Sequence, residues 1–367
     1  MLDLKSGQKR LQLEEELKNE IISGKLKPGD RFPTYEELSK RYEASRATSH
    51  YVLNHLKRDL YTVSVERSGT FVAERLPCRT RIGMVFRLDE NENEFWHKIC
   101  QAAMRYNRTH SDYEFIFFRS RILQVPLKEE YHELHDQLRR QMLASLFFPF
   151  VPESKNLLSL LDEFPEIPRI LFGNQNRENE GPRVCLSPDQ SVRLAMQHFK
   201  CEKICRVAAI AHGETPQLAH FLKEVENAGL QTRREWLVPV ARDLDFAVEN
   251  FTKLLLSLPP DRRPQGFYIT DDHLLSRVQR AVIASGVRVP QELKLVCHTN
   301  FPDPTTPVLP VERVGYDVEA IVRAIIRLTD MHYAGVAEQK IIIPAEYERN
   351  VADPAAKLKS IEKAVNH

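Results

Sequence analysis

Apolar residues recur along this chain with two different rhythms, and the change from one to the other near residue 80 divides it in two. In the first part the spacing is helical. Leu11, Leu13, Leu17, Ile21 and Ile22 predict a helix that stops in SGKLKPGD, where Gly24 can cap it and Pro28-Gly29 turns the chain. Thr34 then stands three residues before Glu37, a capping-box spacing that predicts a short helix to about Tyr42. After EAS, Ser45 can cap a third helix, RATSHYVLNHLKRD, with Val52, Leu53 and Leu56 as its buried stripe. Two β-prone segments, TVSVE and TFVAE, flank Arg67-Ser68-Gly69 and predict a hairpin with the glycine at its tip. Three helices followed by a hairpin is the pattern of a winged helix-turn-helix.

From residue 81 short apolar runs alternate with amphipathic stretches. The runs RIGMVF, EFIFF, ASLFFPF, RILF, RVAAIA, WLVPV, GFYIT and LKLVCH read as strands, and FWHKICQAAMRYNRTH, SPDQSVRLAMQHFK and LLSRVQRAVIASG read as helices between them. This predicts an α/β unit with parallel sheets, too long for one compact sheet, whose ligand site lies at the carboxyl ends of its strands. The series contains neither G-x-G-x-x-G nor a P-loop, so no nucleotide cofactor is expected.

Composition adds four points. A chain of 367 residues exceeds the roughly 250–300 that one core usually serves, so at least two domains are expected. No apolar run approaches the about 18 residues of a membrane span, and the charged N-terminus is no signal peptide, so the expectation is a cytoplasmic protein without membrane contact. The six cysteines are scattered, and Cys201 with Cys205 lacks the second ligand pair of a zinc site, so reduced thiols and no metal are expected. The net charge of +1 hides an asymmetry: residues 40–79 carry roughly twice as many basic as acidic groups. That surface suits a polyanion.

The ordered phrases GKLKPGDRFPTYEELSKRY, ASRATSHYVLNHL and GTFV resemble the GntR family of winged-helix regulators over the whole first unit. The resemblance implies a recognition helix whose start enters the major groove and a wing glycine near the minor groove. The candidate DNA-facing residues are Thr34, Tyr35, Ser45, Arg46, Thr48, Ser49, His50, Arg67 and Gly69. The chemistry agrees, since arginine can take guanine with two hydrogen bonds and small hydroxyl residues let a helix sit deep in the groove. Two departures stand out. Tyr35-Glu36 occupies a stretch where the family usually has a basic or polar residue before the acidic one, and Asp59-Leu60 stands where it tends to have glycine.

The second unit resembles the LacI/GalR effector domain, which is similar to periplasmic sugar-binding proteins. The phrases that carry this are RIGMVF with NEFW, RVCLSPDQSVRLAMQHF, ICRVAAIAHG, GFYITDDHLLSRVQRAVIASGVRVPQELKLV, VERVGYD and IIIPAEYERN. The resemblance implies a two-lobed, type I periplasmic-binding-protein-like α/β sensor crossed three times by the chain. Its first lobe is expected at about 81–181 and 302–328, its second at about 183–300 and 332–350. The resulting division is a head at 1–75, a linker at 76–80, a sensor at 81–352 and a tail at 353–367.

Family pocket positions fall on Phe95, Trp96, Asn174, Asp271, Asp272 and Arg313, with His212 beside them. Gln217 stands where the family commonly has arginine, and Thr299, with Asn300 next to it, where aspartate is usual. An aromatic face with amide and carboxylate groups fits a sugar. In a plainer reading Asp272 caps the helix that follows, leaving Asp271 for ligand. The implied function is a DNA-binding transcription regulator, a repressor by resemblance, that binds a palindromic operator as a homodimer under control of a sugar-like effector. A sensor that has lost its ligand and serves only for dimerisation or protein contact is the alternative. Catalysis by Asp271, Asp272 and His273 lacks any second cluster to support it, so no enzyme is expected.

Overall fold

In the head, α1 (Leu2–Ile22) buries Leu13, Leu17 and Ile21, while Leu11 faces solvent, one position outside the stripe the spacing suggested. The computed structural model describes residues 2–87, 94–120, 131–149, 155–173, 181–212, 216–241, 244, 246–303, 305–336 and 340–352. Helix α2 (Tyr35–Arg41) opens with the complete capping box: Glu37 N–H donates to Thr34 Oγ1 at 3.3 Å and Thr34 N–H to the Glu37 carboxylate at 2.7 Å. Such a cap contributes about 1 kcal/mol. Helix α3 (Arg46–Arg58) starts at Ser45, whose hydroxyl accepts from Thr48 N–H at 3.1 Å, and buries Val52 and Leu56. Strands β1 (Thr62–Val65) and β2 (Gly69–Val72) pair antiparallel with Val65 opposite Gly69. Gly69 has φ +117°, which a side chain would strain. The join becomes one helical turn, α4 (Pro77–Thr80), with Pro77 in its first turn and Cys78 buried.

The chain then lays down β3 (Arg81–Arg87), α5 (Glu94–Thr109), β4 (Glu114–Ser120), α6 (His132–Arg139), β5 (Ser145–Phe148), α7 (Lys155–Asp162), β6 (Arg169–Phe172) and β7 (Arg183–Leu186). It crosses to a second lobe of α8 (Pro188–Cys201), β8 (Val207–His212), α9 (Pro216–Ala228), β9 (Leu237–Val240), α10 (Phe246–Leu256), β10 (Gly266–Ile269), α11 (Asp272–Ala284), β11 (Lys294–Phe301) and β12 (Glu312–Asp317). Helix α12 (Val318–Tyr333) and β13 (Lys340–Ile343) return to the first lobe, and β14 (Glu346–Tyr347) with α13 (Glu348–Ala352) closes the second.

The first sheet has the order β13-β7-β6-β5-β3-β4, all parallel, and the second the order β14-β12-β11-β10-β8-β9, parallel except for β14. Central strands such as β5 and β10 are buried at every position, because helices cover both faces of each sheet. Three crossings between the lobes are present, but later in the chain than expected. RVCL pairs with β6 and β13 and so stays in the first lobe. ERVGYD pairs with β11 and stays in the second. The crossings therefore fall at Ser187, at Asp317–Val318 and at 344–345, rather than near 182, 301 and 330.

The head is seated on the first lobe. Met142 joins the hydrophobic cluster of Leu17, Leu56, Tyr61 and Cys78, and the Tyr61 hydroxyl donates to the Gln141 carbonyl at 2.7 Å. Beside this contact lies a buried ion network. Lys18 Nζ is 2.9 Å from Asp59 Oδ2 and from Glu14 Oε1, and it donates to the Arg140 carbonyl at 3.1 Å. Arg140 closes the network on Asp59 Oδ1 with two nitrogens. Tyr333 of α12 donates to the Ala144 carbonyl at 2.8 Å and lies under the Arg79 guanidinium, so α4 is held as well.

Candidate functional site

Two surfaces carry chemistry, one on the head and one between the lobes. On the head, Ser45, Arg46 and His50 are exposed at the start of α3, Thr34 is exposed and Tyr35 half-buried at the start of α2, and Arg67 projects from the wing tip. Arg46 Nη2 donates to the Tyr35 hydroxyl at 2.9 Å, and the Tyr35 ring stacks on His50 with centroids 5.1 Å apart.

Thr48 and Ser49 do not join this surface. Thr48 is buried with its hydroxyl 2.9 Å from Ser45, and Ser49 is fully buried with its hydroxyl 3.0 Å from Ser39. Thr48 turns back to its own N-cap and Ser49 faces α2, so neither side chain lies on the exposed surface that Ser45, Arg46 and His50 form. Sequence reasoning passed over Arg31. Its guanidinium lies beside the wing, within 3.6 Å of where a Cβ on Gly69 would be, and its signal was a basic residue two positions before Pro33.

The second surface is the seam between the carboxyl ends of the two sheets. From the first lobe, Phe95, Trp96 and Phe172 form an aromatic cluster with centroids 4.8–5.5 Å apart. From the second lobe, Asp271 caps α11 by accepting from His273 N–H at 3.1 Å. The expected assignment is thus reversed, because Asp272 is the residue that faces the first lobe. Its carboxylate accepts from Lys98 Nζ at 2.8 Å, and the same ammonium reaches Asp303 at 2.9 Å. Lys98, from α5, thereby spans the seam with its side chain only 8% exposed.

Burial alone would lower the Lys98 pKa, yet the hydrogen bonds and charges of Asp272 and Asp303 outweigh it and raise the value. Burial would likewise raise Asp303, and hydrogen bonds from Lys98 and Thr305 hold it below its ordinary range. On β11, burial pushes the imidazole of His298 down to about 4, against the opposing charge of Asp272, so it is neutral near pH 7. Its Nδ1 lies 3.1 Å from the Ser191 hydroxyl.

Asn300, at the carboxyl end of β11, is 9% exposed, and its buried Oδ1 has no hydrogen-bond partner among the described residues. A buried unpaired acceptor costs about 1–3 kcal/mol unless something meets it. Arg313 is already committed: it pairs with Glu348 at 2.9 Å and donates to the Thr305 carbonyl, so its role is to pin the loop that carries Asp303. Asn174 and the side chains of His212 and Gln217 lie outside the described residues. No helix among the described residues is long and apolar enough to cross a membrane.

Comparison with known proteins separates the same two units. Residues 9–72 match the model of bacterial regulatory proteins of the gntR family, and residues 196–349 match that of the periplasmic binding protein-like domain. The chain is similar to the arabinose metabolism transcriptional repressor of Geobacillus stearothermophilus, 25% identical over 332 residues that cover 80% of this chain and 82% of that protein. Over 63 residues, 17% of this chain, it is 35% identical to the mannosyl-D-glycerate transport/metabolism system repressor MngR of Escherichia coli strain K12, covering 26% of that protein. A LacI-family regulatory protein from Chloroflexus aggregans shares the fold of the sensor, with a TM-score of 0.56 and 16% identity over 74% of this chain and 97% of that one. The head thus matches the gntR family of bacterial regulators and the later part of the larger unit the periplasmic binding protein-like domain, and the chain that joins them is a DNA-binding transcription regulator.

Proposed function

We propose that this regulator is a repressor that binds a palindromic operator as a homodimer, and that a sugar held in the seam between the lobes changes its operator affinity. The observation that carries the ligand reading is the Lys98 clasp. A buried ammonium from the first lobe pairs with Asp272 and Asp303 of the second, and on the second lobe the buried Asn300 Oδ1 lacks a partner among the described residues, so a polar molecule entering the seam meets groups from both lobes. A ligand shifts a two-state equilibrium only through contacts that differ between the states, and a seam lined from two sides supplies them. The unmet Asn300 acceptor favours a ligand site that is kept over a sensor that only dimerises. The Geobacillus relative, named for arabinose metabolism, supports a sugar.

The dimer reading is supported by the apolar surface of the second lobe, where Phe251 and Leu254 on α10 and Ile283 on the adjacent α11 are each about half exposed. Two heads also contact enough DNA for tight binding, which one small head does not.

The experiment is an operator titration by fluorescence anisotropy with light scattering on the same samples. Arg46→Ala should weaken binding by about 1–3 kcal/mol and relax preference at one base pair, whereas Arg67→Ala should weaken it evenly across sequences. Affinity should fall steeply with salt. Neither substitution mattering would contradict the DNA surface, and one monomer per operator would contradict the dimer.

A further inference from the structure

The residues at the start of α2 and α3 form one connected constellation. Arg46 Nη2 donates to the Tyr35 hydroxyl at 2.9 Å, while its guanidinium carbon stands 4.7 Å from the centre of the Tyr35 ring. The Tyr35 hydroxyl in turn donates to Glu36 Oε1 at 2.9 Å, and its ring stacks on His50, one turn along α3 from Arg46. Arg46, Glu36 and His50 are all exposed on the head, so the arrangement faces whatever the recognition helix meets.

We propose that Tyr35 is a positioning residue for sequence reading: it fixes Arg46 in one direction and, together with Glu36, directs it to a guanine rather than to a phosphate. The proposal rests on DNA binding by the head. An arginine free in solvent samples many rotamers, and holding it beforehand reduces what must be ordered on binding. The hold leaves Arg46 competent. A guanidinium has five N–H donors, Tyr35 takes one, and guanine O6 and N7 need two.

The carboxylate supplies the choice of target. Glu36 shares the Tyr35 hydroxyl with Arg46, so a phosphate brought to Arg46 would approach a negative charge as well as a positive one. A guanine edge presents two acceptors without a net charge and meets no such opposition. The aromatic and acidic residues at 35 and 36, which depart from the usual family pattern, thus become the device that sets what Arg46 reads.

The test is selection of binding sites from a randomised duplex pool by the full-length protein and by Arg46→Ala, Tyr35→Ala and Tyr35→Phe, with thermal melting of each. Arg46→Ala should erase a guanine preference at one position per half-site. That preference should be about 5- to 150-fold in the wild type, the range a bidentate arginine supplies. Tyr35→Ala should remove most of it at the same position, with the other positions and the melting midpoint kept. Tyr35→Phe, which keeps the ring and loses the hydroxyl, should reduce it less.

A wild-type preference in a folded Tyr35→Ala protein overturns the proposal. If Tyr35→Ala does not fold, an unchanged preference in Tyr35→Phe overturns it, and a reduced one supports it. An Arg46→Ala protein that loses affinity without losing any base preference also overturns it, because Arg46 then clamps phosphate. A wild-type protein that enriches no sequence overturns the DNA-binding reading beneath it, an outcome separate from these.

Discussion

Asp59→Ala should loosen the DNA-binding head from the first lobe by about 3–5 kcal/mol, the cost of breaking a buried ion pair by removing one partner. The Asp59 carboxylate is fully buried and accepts from Lys18, Arg140 and Arg58, so its removal leaves three cations around a vacated site, and the almost completely enclosed Lys18 keeps only Glu14 as a counter-charge. Calorimetry should show the single transition of the intact chain splitting in two, and proteolysis at residues 76–80 should accelerate. Replacing Glu14, Lys18, Asp59 and Arg140 together by Gln, Met, Leu and Met should recover much of the loss, since the enclosed charges of the network then go together.

The network also predicts an acid response. Burial raises the Asp59 pKa, but hydrogen bonds from Arg140 and Lys18 outweigh it and hold the value below normal. A depressed carboxylate pKa contributes stability above its unfolded value and loses it as pH falls through the folded one, so docking should be intact at neutral pH and weaken below about pH 4. An Asp59→Ala protein that melts as one unit at the wild-type midpoint would contradict this account.

Lys98→Met should have a comparable effect at the seam. It leaves Asp272 and Asp303 enclosed next to each other without a counter-charge, again a loss of about 3–5 kcal/mol. The lobes should part, and small-angle scattering should report a larger radius of gyration than for the wild type. The signs of the two shifts bound the clasp. The raised Lys98 pKa means its contribution is lost only as pH rises through that value, and the depressed Asp303 pKa means its contribution is lost as pH falls through that one. The clasp therefore holds across the neutral range. Asp272→Asn with Asp303→Asn in the Lys98→Met background should restore part of the compact form. A Lys98→Met protein with unchanged scattering and melting would refute the clasp.

Much of the head was legible because its signals are local. Thr34 with Glu37, and Ser45 before an amphipathic run, specify helix starts within four residues of themselves, and both caps are present. The orientation of Thr48 and Ser49 was not, since it depends on how α3 rolls against Ser39 on α2. In the sensor, the strand–helix alternation was visible, but the crossings were not. Whether RVCL belongs to one lobe or the other is decided by its neighbours β6 and β13, and β13 lies more than 150 residues away.

Lys98 and Asp59 were invisible for the same reason. A lysine one turn into an amphipathic helix reads as solvated, and its partners Asp272 and Asp303 are 174 and 205 residues distant. Asp59-Leu60 looked like a mere loss of the family glycine. In the structure Leu60 takes the positive φ of 60° that glycine would favour, and Asp59 becomes the anchor of the head on the sensor.

The central claim is that the seam and the DNA-facing surface are coupled through a head seated on the first lobe. Its most direct test is reciprocal titration: find a sugar that raises the melting temperature, then measure operator Kd with and without it at saturation, in the wild type and in Asp59→Ala. The account predicts a roughly 5- to 150-fold change in operator Kd for the wild type, the range of a 1–3 kcal/mol coupling, and a much smaller change when the head is unseated. Equal operator Kd with and without the bound sugar in the wild type would contradict it.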